Sequence, residues 1–184
     1  MIVQDSPIGP SLEGRSSVGI VTHVLLIALQ DVVDVLDPDQ FPSGVTHQVG
    51  VANLLIKPGA LVHRLQFGVG MCQFGEADSD GGYVLSLEAT LPTSHPELMA
   101  WQYKYSQCRW VALIRQIDEQ CWLLGNPETG LRYTFNRSIA TGQSSKLTFS
   151  GRDWHPAWAL PTIDLATLFP DAGFDYSFNL SFDS

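Results

Sequence analysis

The chain has 184 residues, enough for one well-filled core and too few for two large ones. Hydrophobic residues make up 45% and charged residues 16%, which is too apolar for a disordered segment and leaves apolar surface for an interface. The 19 acidic and 10 basic side chains give a formal charge of -9, so charge-driven binding to nucleic acid or anionic lipid is disfavoured.

Residues 1–18 are polar, carry Pro7, Gly9, Pro10 and Gly14, and read as an extended arm. They lack the basic and then apolar blocks of a cleaved signal. Ile20 to Leu36 is apolar and β-branched and reads as one long strand. Its Ile20 to Leu29 stretch, interrupted by Thr22 and His23, is too short to span a bilayer, so no membrane partner is expected. A loop around Asp37 to Gly44 follows, in which Phe41 is the side chain that wants cover.

Gln48 to Lys57 reads as strand, and Pro58-Gly59 fits a type II turn. Leu61, Leu65, Phe67, Val69 and Met71 share one parity, which predicts a strand with one packed face. Gly75 to Gly82 reads as a loop. Tyr83, Leu85, Leu87, Ala89 and Leu91 then alternate with polar residues, the clearest strand pattern in the chain.

Ser94-His95-Pro96-Glu97 has the spacing of a capping box, and Leu98, Trp101 and Tyr105 fall three and four apart. A single substantial helix is predicted from His95 to about Ser106, buried along that stripe. Arg109 to Ile117 and Gln120 to Gly125 form a hairpin around Asp118-Glu119, and strands follow at Leu131 to Asn136 and Lys146 to Ser150. The three cysteines, Cys72, Cys108 and Cys121, have no metal-site spacing and read as small hydrophobes. A turn centred on Asp118-Glu119 sets Cys121 opposite Gln116, not opposite Cys108.

Four strands, a helix and four strands without βαβ alternation predict a mainly β protein, an antiparallel β-sandwich or barrel with one flanking α-helix at about residues 95–106. The expected organisation is an arm at 1–18, a β-sandwich or barrel at 19–159 and an aromatic extension at 160–184. That extension carries Phe169, Phe174, Tyr176, Phe178 and Phe182. With Phe41, these rings are the candidate interface residues.

Signs of chemistry are sparse. The five histidines lie far apart in sequence, and no two have the helical spacing of a metal pair. Asp153-Trp154-His155-Pro156-Ala157-Trp158 is the most site-like patch, since a carboxylate near an imidazole can make a general base, yet packing at a strand end explains the same residues. Gly68-Val69-Gly70-Met71-Cys72-Gln73 lacks the third glycine of a dinucleotide fingerprint. Asn136-Arg137-Ser138 and Asn179-Leu180-Ser181 match a glycosylation sequon without a secretion signal. Asp31, Asp34 and Asp37, and Asp78 and Asp80, do not follow the calcium-loop ladder. No enzyme, metal or cofactor is expected.

Trp110-Val111-Ala112-Leu113-Ile114, Asp118-Glu119-Gln120, Cys121-Trp122-Leu123-Leu124-Gly125-Asn126-Pro127-Glu128 and Leu131-Arg132-Tyr133-Thr134-Phe135 follow one another behind the capped helix. In that order the chain resembles bacteriophage tail proteins of the tail-tube type. The resemblance covers roughly residues 20–158. It implies a structural virion protein, made in the bacterial cytoplasm, that forms a homo-oligomeric ring, expected as a hexamer, and meets other tail proteins. DNA would enter only as cargo passing an acidic lumen, for which Asp31, Asp34, Asp78 and Asp80 are the candidate residues. The aromatic extension departs from a minimal tube subunit, so tube, terminator and tail-tip roles stay open. The competing readings are a monomeric β-barrel module binding a small apolar ligand and a hydrolase built on Asp153 and His155.

Overall fold

The apolar runs Val24 to Ala28 and Trp110 to Ile114 are continuous because their strands are buried on both faces, where no polar alternation is needed. In the computed structural model, which describes residues 19–35, 48–91, 96–138, 144–161, 168 and 173–175, these runs form the adjacent central strands β1 (Val21–Ala28) and β7 (Arg109–Gln116). The other strands are β2 (Val32–Val35), β3 (Leu54–Ile56), β4 (Leu61–Gln66), β5 (Cys72–Ser79), β6 (Gly82–Leu91), β8 (Cys121–Leu124), β9 (Leu131–Ser138), β10 (Ser144–Asp153), β11 (Trp158–Leu160) and β12 (Gly173–Asp175). The helix α1 is Pro96–Tyr105.

The large sheet runs β12-β4-β1-β7-β9-β10-β6-β5, with β8 and β11 branching from β7, and β2 and β3 form a separate small sheet. Among the described strands every ladder is antiparallel except β12 on β4, and the isolated bridge of Gln48 to Ala159 is parallel. The sheet curls until β5 returns to the start of β1, where Ile20 bridges Gln73 and the Phe74 N–H donates to the Gly19 carbonyl at 2.8 Å. No ladder joins them, so the sheet is not closed into a barrel, and of the two expected forms the closed one is ruled out.

Inside the curl, Leu26, Trp110, Leu87 and Phe149 meet Leu98 and Trp101 of α1. This is the stripe expected of the helix. On the other side of β1 and β7, Leu25, Ile27, Val111 and Leu113 are covered by Val32, Leu54, Trp158, Leu160 and Leu168. The space between helix and sheet is thus filled by side chains.

Several expectations need correction. The long strand from Ile20 to Leu36 is broken by a 3-10 turn at Leu29–Asp31, whose end is held by the Lys57 N–H on the Asp31 carbonyl at 2.8 Å, and β2 leaves for the small sheet. The Gln48 to Lys57 strand shrinks to β3 behind a 3-10 turn at Val51–Asn53. Beyond Gln66 the expected strand gives way to a turn at Gly68 to Met71, and Val69 is 69% exposed. Gly75 to Ser79 is strand, because the β6 ladder supplies partners whatever the local propensity, and only Asp80-Gly81 turns the chain. The β7–β8 register sets Cys121 opposite Arg115 and not Gln116. The Pro58-Gly59 turn is present, with Gly59 at φ 77 and the Ala60 N–H on the Lys57 carbonyl. Alternation on β6, β9 and β10 is as read.

Candidate functional site

The turn from Asp153 to Trp158, between β10 and β11, is a polar clasp. Trp158 Nε1–H can only donate, and it reaches His155 Nε2 at 3.1 Å, so Nε2 holds the lone pair and the proton sits on Nδ1. Nδ1 in turn lies 2.8 Å from the Pro156 carbonyl and donates to it. The buried Asp153 accepts the Trp154 N–H at 2.8 Å, and its Oδ1 stands 3.4 Å from His155 Nε2. Glu76 of β5 accepts the Ala157 N–H at 2.7 Å, tying the turn to the sheet edge. A general base needs a lone pair aimed at substrate. Here the imidazole lone pair is taken by an indole, so the geometry is that of a brace.

Beside the clasp lies a pocket of about 110 Å3 lined by Val35, Asn126, Pro127, Glu128, Trp154 and Trp158, among others. Trp154 stands 74% exposed at its side. Asn126 is committed to its own turn, its Oδ1 accepting the Glu128 and Thr129 N–H groups at 3.1 and 2.7 Å.

The candidate acidic residues divide between two places. Asp31 closes the 3-10 turn and Asp34 is exposed on β2, where it caps the Val35 N–H, whereas Asp78 is exposed on β5 and Asp80 in its turn. Among the described residues no three His, Cys, Asp or Glu side chains stand close enough to hold a metal ion. Of the candidate interface rings, Phe174 lies on β12 opposite Val62, and Phe41, Phe169, Tyr176, Phe178 and Phe182 lie outside the described residues. The same holds for Ser94 and His95 of the capping box.

One grouping escaped sequence reasoning. Arg109, Arg132 and Arg152 line a single groove of about 430 Å3 with Val84, Thr129 and Ser150. Arg109 and Arg132 are directly opposite across the β7–β9 ladder, and Arg132 faces Ser150 on β10, two residues from Arg152. Their separation along the chain hides this, and only strand register brings them to one face.

Compared with known proteins, the chain matches no family model, no curated protein sequence and no solved structure.

Proposed function

We propose that the chain is a structural subunit of a bacteriophage tail, of the tail-tube type, that assembles with copies of itself into rings and with other tail proteins, without a reaction or a cofactor. The carrying observation is the small sheet. It packs Val32 and Leu54 into the core but turns Val33 (57% exposed) and Leu55 (39% exposed) outward, and among the described residues neither of its strands has a second ladder partner. An unpaired edge carrying apolar side chains is a natural place for another chain to dock. The curled sheet with α1 packed against it agrees with the subunit type that the order of elements resembles. The exposed Asp34, Asp78 and Asp80 are available to an acidic lumen, through which the negative chain would let DNA pass without adhering. Its place would then be the virion.

Sedimentation velocity and negative-stain microscopy of the purified chain test this. Rings, or a mass that is a multiple of the chain's own, are expected. A strictly monomeric species at high concentration refutes the reading.

A further inference from the structure

We infer that the arginine groove across β7, β9 and β10 receives an acidic segment of a second copy of this chain. The inference rests on the self-assembly reading and adds where one contact lies. Cross-strand like charges directly opposite one another are destabilising, and the chain nonetheless sets Arg109 against Arg132. None of Arg109, Arg132 and Arg152 forms an ion pair with a carboxylate among the described residues, whereas Lys146, on the same sheet face, holds Glu88 at 2.7 Å.

The contacts these arginines do make orient the groups without neutralising them. Arg109 Nη1 donates to the Thr129 carbonyl at 2.8 Å, and Arg152 Nη2 donates to the Ser79 hydroxyl at 2.8 Å. Gly130, Gly151, Ser150 and Thr129 are small, which leaves the guanidinium groups accessible from the groove. Three of the 10 basic residues thus gather without a carboxylate partner among the described residues, in a chain with 19 acidic ones.

Guanidinium groups pair with carboxylates in a planar, bidentate fashion, so an acidic protein segment fits the groove. A second copy supplies one, since its surface has carboxylates in excess. Duplex DNA offers phosphates, but the net charge of -9 opposes so long a polyanion.

The test compares the wild-type chain with a variant combining Arg132→Glu and Arg152→Glu, by sedimentation velocity at low and high salt. Wild-type association should weaken with salt, and the variant's should be weaker on the order of tenfold or more at low salt. The variant's melting temperature should not fall, because Arg132→Glu places a carboxylate opposite Arg109. Unchanged association of the folded variant, or salt-insensitive wild-type association, overturns the groove contact and leaves the assembly reading standing. A wild-type chain that never associates refutes both. Binding of duplex DNA by the wild type that the variant loses reassigns the groove to a phosphate backbone and overturns the inference.

Discussion

The indole N–H of Trp101 on α1 donates to Nδ1 of His63 on β4 at 3.3 Å, and both side chains are buried. Trp101 also stacks on Trp110 of β7, with ring centroids 5.3 Å apart. The helix is therefore joined to two strands of the large sheet through one side chain. Trp101→Ala should cost about 3 to 5 kcal/mol, the range for large aromatic residues truncated in a core. Trp101→Phe, which keeps most of the ring and loses the donor, should cost less. Denaturant unfolding measures both, and a loss within the surface range of about 0.5 kcal/mol for the alanine variant would show that α1 does not hold the sheet.

Gly82 opens β6 at φ 149, and a Cβ there would lie 2.3 Å from the Asp153 carbonyl oxygen, while Gly59 at φ 77 has open space around the same position. Both glycines have a backbone conformation that L side chains rarely adopt, but only Gly82 adds a collision with neighbouring backbone. Gly59→Ala should cost about 1 kcal/mol and Gly82→Ala at least about 3 kcal/mol, since the β6–β10 ladder must shift. Equal costs in thermal unfolding would mean that the backbone at Asp153 yields to a Cβ at position 82 without cost.

Burial pushes the Cys72 thiol up to about 12 from an ordinary value of 9.0, and burial also raises the Tyr133 phenol. The folded chain therefore keeps protons that the unfolded chain releases. The stabilisation from Cys72 is complete below pH 9, and it is lost as pH climbs from there toward about 12. The melting temperature of the wild type should fall more steeply above pH 9 than that of Cys72→Ala, and Cys72 should resist thiol reagents in the native state at lower pH. Parallel melting curves would exclude the linkage.

The carboxyl-terminal segment contributes to its own chain at two points, since β12 extends the sheet beside β4 and Leu168 joins the core beneath β1 and β7. Leu168→Ala should cost about 2 kcal/mol, the lower end for buried leucines. Deleting residues 161–184 should cost more, because the β4 edge also loses its partner. A truncated chain with unaltered unfolding and lost oligomers would instead assign the segment to assembly alone.

Alternation sufficed to read β6, β9 and β10, because each has one face on the core and one toward solvent, so periodicity survives in the sequence. The stripe of Leu98 and Trp101 identified α1 for the same reason. Where both faces are covered, as on β1, the pattern vanishes, and the break at Leu29–Asp31 was not legible. Gly75 to Ser79 reads as loop by composition and is strand because β6 pairs with it. The clasp at Asp153 to Trp158 could be named from its residues, but its meaning depends on whether His155 Nε2 accepts from the Trp158 indole or donates to Asp153, a matter of ångströms. The chain alone thus determined the β-rich class, the helix α1 and the negative charge, all of which follow from local spacing and composition. The open curl of the sheet and the meeting of Arg109, Arg132 and Arg152 were decided only by tertiary structure, because strand register joins residues whose distance in sequence carries no signal.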